Sequence, residues 1–102
     1  MKIKIPKTIT VCSTTFKIKQ RNDDQARFSY DKSCIEIGTR YLKTDPTRVL
    51  ELIIHELTEI IHIELYTRYQ TNDDLRFEFH YTHRQHTTAC AMLAGLLTRF
   101  IK

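Results

Sequence analysis

The stretch LIIHELTEIIH at positions 52–62 limits most strongly what this chain can fold into. It contains no glycine or proline and is rich in leucine and isoleucine, so it favours a helix. On a helical wheel at about 100° per residue, the apolar side chains around this stretch fall on one broad face. They are Val49, Leu50, Ile53, Ile54, Leu57, Ile60, Ile61 and Leu65. A helix of this kind needs a second layer of structure to cover that face.

The opposite face of the helix is narrow and carries ionisable side chains. It consists of Glu51, His55, Glu56, Glu59, His62 and Tyr66. His55 and Glu59 are four residues apart, so their side chains lie one above the other and can share an ion. Glu56 is rotated by about 100° from His55, which places it beside such an ion, where it could take a proton from a bound water. A surface helix with solvated histidine and glutamate side chains is the simpler interpretation of the same pattern.

The spacing from His55 to Glu59 is that of the zincin motif H-E-x-x-H, with glutamate in place of the second histidine. A carboxylate can bind zinc as an imidazole can, so this replacement does not abolish a metal site. We therefore predict zinc held by His55 and Glu59, with Glu56 as the general base of a hydrolase.

A catalytic zinc ion usually has three protein ligands and an open position for water. His62 lies on the same helical face, but two turns from His55 correspond to about 10.5 Å along the axis, too far for a shared ion. We expect His62 to line the pocket, to support the ligands, or to be simply a partly buried histidine near the helix end. The candidates for the third ligand are then His80, His83 and His86. We expect His83, which directly follows the predicted start of the last helix, with His86 as the alternative; two exposed histidines at a helix start are the other interpretation.

The rest of the sequence predicts one α+β domain over residues 1–102, in which a small antiparallel sheet packs on the long helix and on a second, C-terminal helix. Short segments of alternating polar and apolar residues, rich in threonine, valine and isoleucine, are typical of strands. The predicted strands are residues 2–5, a hairpin over 8–20 that turns near Ser13, and the pair 27–30 and 34–37.

The start of the long helix is marked by Asp45 and Pro46, an N-cap residue followed by proline at the first helical position. We expect this helix over residues 46–68, followed by a polar turn at residues 71–74. The alternation in residues 75–81 then predicts a half-buried strand or an extended segment over the helix.

The second helix is predicted over residues 83–101. Thr82 and Gln85 fit a capping box at its start, and its apolar residues recur at spacings of three and four.

The net charge of +4 comes largely from lysines in the first 21 residues. Basic segments can favour acidic partners or nucleic acid. This one contains a single aromatic residue, Phe16, and lacks the stacking residues of a nucleic-acid platform, so we do not expect nucleic-acid binding. We also expect no membrane segment, because no run of about 20 apolar residues occurs, and no signal peptide.

The three cysteines, Cys12, Cys34 and Cys90, form no C-x-x-C pair and are odd in number. They therefore indicate neither a disulfide framework nor a thiolate zinc site. We expect each to be a small buried residue in a reducing cytoplasm.

Three stretches of the chain together resemble a known family. They are ARFSYDKSCIEI at 26–37, LIIHELTE at 52–59 and MLAGLL at 92–97. In this order they resemble the small zincin-like metallopeptidases of phages and prophages, which are built like minimal gluzincins. The resemblance covers residues 8–100, and its specific part is the H-E-x-x-E segment with its flanks.

This resemblance implies a zinc site in which His55 is the first ligand, Glu56 the base, and Glu59 stands at the position of the second histidine. The third gluzincin ligand is a glutamate on the following helix. No glutamate follows Glu78 in this chain, so a histidine would replace it.

The expected function is a zinc-dependent, peptidase-like hydrolase with a peptide or protein substrate. The alternative is a non-catalytic module, a metal-stabilised or degenerate zincin that acts as a phage adaptor or inhibitor and binds a host protein. Its basic N-terminal strands would then be the contact surface.

Overall fold

The computed structural model describes residues 2–70 and 77–102, with residues 69 and 70 described in their backbone only. The chain forms six strands and two helices within these ranges. In chain order they are β1 (Thr8–Val11), β2 (Thr14–Arg21), β3 (Ala26–Ser29), β4 (Cys34–Gly38), α1 (Pro46–Glu64), β5 (Arg68–Gln70), β6 (Phe77–Phe79) and α2 (His83–Leu97). The predicted α+β class is confirmed.

The main sheet has four strands in the order β1-β2-β4-β3 and is mixed. The β1–β2 and β3–β4 pairs are antiparallel, whereas β2 and β4 run parallel to each other. The prediction of an antiparallel sheet was therefore wrong. The physical reason lies in β4, where Cys34, Ile35, Ile37 and Gly38 are all buried. A strand buried on both faces is typical of a central position, which β4 takes by inserting between β2 and β3.

Helix α1 packs its apolar face on this sheet and forms the core with it. The side chains from α1 that are at most 1% exposed are Val49, Ile53, Leu57, Ile60 and Ile61. From the sheet, the core receives Ile9, Val11, Phe16, Ile35 and Ile37. Each buried side chain of this size contributes about 1.5–3 kcal/mol relative to an exposed one. The broad apolar face that the sequence predicted thus positions the opposite face of α1 away from the sheet.

The first helix ends at Glu64, four residues before the predicted end. Tyr66 adopts a positive φ of 57°, and the backbone N–H of Thr67 donates to the carbonyl oxygen of His62 at 2.8 Å. This left-handed turn closes the helix and redirects the chain into β5. At the start of α1, Pro46 lies in the first turn as predicted, but the Asp45 side chain makes no capping hydrogen bond.

Strand β6 pairs antiparallel with β5 in a separate two-stranded sheet. The prediction of an extended segment here is confirmed for the described residues, but all three residues of β6 are exposed instead of half-buried. The predicted polar turn at 71–74 and the first two residues of the predicted segment, Leu75 and Arg76, lie outside the described residues.

The capping box of α2 is present: Gln85 N–H donates to Thr82 Oγ1 at 3.2 Å, and Thr82 N–H donates to Gln85 Oε1 at 2.9 Å. The helix ends at Leu97, earlier than predicted. The predicted strand at residues 2–5 is reduced to a single bridge, in which Ile3 pairs with Ile101 after the end of α2.

The cysteines differ from the sequence expectation, because Cys34 is buried whereas Cys12 and Cys90 are exposed. In the described residues, neither helix has both the length and the apolar character that crossing a bilayer requires.

Candidate metal centre

Three side chains of α1 converge at one point: His55, Glu56 and Glu59. Each offers one ligand atom, and these atoms all lie within 4.8 Å of one another. His55 Nε2 lies 3.7 Å from Glu56 Oε2 and 3.9 Å from Glu59 Oε2. In a tetrahedral zinc site with bonds of about 2.0–2.1 Å, ligand atoms lie about 3.3 Å apart. An imidazole nitrogen and carboxylate oxygens at these separations therefore fit a zinc ion after small side-chain rotations.

The three side chains differ in exposure. The His55 side chain is 69% exposed and that of Glu59 23%, whereas Glu56 is only 6% exposed. The helical wheel placed Glu56 at the edge of the polar face, and the fold buries it. Burial raises the pKa of Glu56; the nearby Glu59 also raises it, while His55 and Arg68 lower it. A carboxylate with a raised pKa is a stronger base near neutral pH, which suits a general base.

A cavity of about 510 Å³ opens beside this group. Its lining residues are Glu51, Ile54, His55, Thr58, Glu59, His62, Phe79 and Tyr81. Glu56, whose side chain is buried, is not among them. Sequence reasoning assigned Ile54 to the core face and did not assign Phe79 and Tyr81 to the site. The alternating aromatic residues after position 76 were the one signal for such a wall.

His62 has a defined orientation and protonation state. Its Nδ1 lies 2.8 Å from Thr67 Oγ1, and the Thr67 hydroxyl donates to the His62 carbonyl oxygen at 3.1 Å. The hydroxyl has one proton, so Nδ1–H donates to Oγ1 and Nε2 keeps its lone pair. Burial, followed by the charge of His86, lowers the pKa of His62. The ring therefore stays neutral at neutral pH. It contacts the rings of Phe79 and Tyr81, whose centroids are 4.9 and 5.2 Å away.

His62 lines the cavity as predicted. None of the three candidate third ligands belongs to the His55 group in the part of the chain that the structure describes. His83 lines a surface cavity with His86 that has no wall from α1. His86 also lines a second cavity that reaches Thr58 of α1. His80 Nε2 instead lies 3.0 Å from a carboxylate oxygen of Glu78. Of the α2 histidines, His86 therefore lies on the side of α1.

No family model matches this chain, and no curated protein or solved structure is significantly similar to it. The function therefore has to be inferred from the geometry of the site.

Proposed function

We propose that this protein is a zinc-dependent hydrolase of peptide-like substrates, with His55 and Glu59 as metal ligands and Glu56 as general base. The observation that carries the proposal is the convergence of one imidazole and two carboxylates within 4.8 Å, of which His55 and Glu59 line an open cavity. A zinc ion bound there would lower the pKa of its water towards about 7 and polarise a carbonyl group.

The exposures support this division of roles. His55 and Glu59 line the cavity, so their ligand atoms are accessible to an ion and its water. Glu56 is buried and does not line the cavity, and its Oε2 lies 3.7 Å from His55 Nε2. From this position its carboxylate would accept a proton from the attacking water and pass it to the leaving amine. In the metal-free protein, burial raises the pKa of Glu56, which is the direction that strengthens its carboxylate as a base.

A histidine of α2 is our proposal for the third ligand. We favour His86, because it lines a cavity together with Thr58 of α1, whereas His83 does not. The sequence had led us to expect His83. In either case one residue of α2 would complete a site that α1 begins, and metal binding would connect the two helices.

A second candidate function is a non-catalytic protein-binding module, an adaptor or inhibitor stabilised by metal. The observation that favours it is the exposure of aromatic side chains on and next to β6, namely Phe77 at 44%, Phe79 at 39% and Tyr81 at 48%. Exposed aromatic clusters are typical of protein contact surfaces.

The test is elemental analysis of the untagged protein, followed by peptide hydrolysis assays on the zinc-loaded form. We expect Glu56→Gln to keep zinc and lose about 10²–10⁴-fold in turnover, the usual contribution of a general base. Glu59→Ala should lose the metal. The matched control is Asp31→Asn, a carboxylate removed from an exposed turn.

A protein that binds no zinc would contradict the proposal. Zinc binding without hydrolysis, unchanged by Glu56→Gln, would favour the binding module. Equal zinc loss in Glu56→Gln and Glu59→Ala would show that both carboxylates are ligands.

A further inference from the structure

We propose that the cavity beside His55 binds an extended peptide with a basic side chain at one end and an aromatic or large apolar side chain at the other, and that the bond cleaved lies between them. This inference rests on the proposed function and adds the substrate class to it. It follows from the order of residues along α1, which makes the two ends of the cavity chemically different.

The cavity runs along α1 from Glu51 to His62. These residues are eleven positions apart, which corresponds to about 16 Å along the helix axis. An extended chain advances about 3.3 Å per residue, so the cavity has the length of about five peptide residues. His55 and Glu59 lie between the two ends, so a peptide that fills the cavity would pass the metal group near its middle.

One end of the cavity is anionic. Glu51 is exposed there, one helical turn before His55. When a metal ion is bound, the charge of Glu59 is shared with the ion. Glu51 is outside the His55 group, and its charge is therefore available to a substrate. A lysine or arginine side chain is the complementary group.

The other end is aromatic. Phe79 and Tyr81 are 39% and 48% exposed, and the His62 ring contacts both of them. Because Thr67 accepts the Nδ1 proton of His62, this imidazole is held in place as part of the wall. Because the ring is neutral, an apolar group can cover it without the large desolvation cost of a charged imidazolium. A phenylalanine or leucine side chain would cover the exposed ring faces and gain the corresponding hydrophobic free energy.

The experiment uses blocked five-residue peptides that have phenylalanine at one end and lysine at the other, in both orders, with alanine between. Each is compared with a peptide in which lysine is replaced by glutamate and one in which phenylalanine is replaced by serine. For at least one order, we expect kcat/KM of the zinc-loaded protein to fall about tenfold or more with either replacement, equivalent to about 1.4 kcal/mol.

Two variants assign the two ends separately. Glu51→Gln should abolish the preference for lysine over glutamate and keep the preference for phenylalanine over serine. Tyr81→Ser should do the reverse, and Asp31→Asn should keep both preferences. A Glu51→Gln protein that retains the full preference for lysine, or a wild-type protein that cleaves all peptides equally, would overturn the inference.

If no peptide is hydrolysed, the proposed function fails, and the dissociation constants of the same peptides still decide the inference. The inference is supported if the peptide with phenylalanine and lysine binds most tightly, if Glu51→Gln removes the preference for lysine, and if Tyr81→Ser removes the preference for phenylalanine. Equal dissociation constants for all peptides would overturn it.

Discussion

The two faces of α1 differ in almost every physical property although they belong to one helix. On the face against the sheet, Ile53 and Ile60 are fully buried. On the other face, Glu51 and His55 are exposed and line an open cavity. Stability and chemistry are thus separated by half a turn, so that substitutions on one face should leave the property of the other largely unchanged.

The layers that cover the two faces differ as well. The sheet face is covered by strands whose own side chains are buried, such as Ile35 and Ile37. The site face is bordered by β6, whose residues are exposed, and by α2. Within α2, all of whose residues are described, Ala89 is the one buried residue. A site face with few buried contacts can adapt to a ligand, whereas a close-packed core cannot.

The largest expected effect comes from two neighbouring isoleucines that belong to different faces. Ile53→Ala should lower the free energy of unfolding by about 2–5 kcal/mol, because it leaves a cavity in the core. Ile54→Ala, at the half-buried wall of the cavity, should cost clearly less, because solvent can reach the vacated space. Urea denaturation of the two metal-free variants measures both values. Equal losses would show that the two faces are packed alike.

Zinc affinity tests whether the chemistry resides on one face or between two helices. His55→Ala should lose more than the 10–100-fold typical of residues that only support a ligand. We expect His86→Ala to weaken binding more than His83→Ala, because His86 lines a cavity shared with Thr58 of α1. Isothermal titration with zinc gives the three affinities. The reverse order would restore His83 as third ligand, and no loss in either variant would place the whole site on α1.

The smallest expected effect is a pH-dependent gain in stability when Glu56, on the site face, is replaced by glutamine. Burial raises the pKa of Glu56 above the value of 4.5 that applies to the unfolded chain. The folded protein therefore binds this proton more tightly than the unfolded one, and the stability that Glu56 contributes falls as the pH rises from 4.5 through the folded pKa. In the metal-free proteins, the stability of Glu56→Gln minus that of the wild type should therefore increase as the pH rises from 4 to 7.

Thermal or urea unfolding at both pH values measures this difference, with Glu51→Gln as the matched control on the exposed part of the same helix. A constant difference at pH 4 and pH 7 would mean that ionisation of Glu56 does not oppose folding. The site would then lack the buried base that the proposed mechanism uses.

The sequence alone determined the features that depend on local periodicity and capping. The apolar spacing from Val49 to Ile61 was sufficient to identify α1 and its buried face, because side-chain direction in a helix follows from residue number. Thr82 and Gln85 were sufficient to place the start of α2, because a capping box is formed within four residues. The proximity of His55 and Glu59 followed from the same helical geometry.

Only the tertiary structure decided features that depend on contacts between distant segments. The parallel pairing of β2 with β4 results from the insertion of β4 between β2 and β3, which no local pattern encodes. Glu56 is only 5% exposed, although a helical wheel places it among the polar residues and assigns it no neighbours from other elements. The aromatic wall of Phe79 and Tyr81 likewise depends on where β6 packs relative to α1. Local geometry therefore specified which side chains could act together, and long-range packing determined their burial and the shape of the cavity beside them.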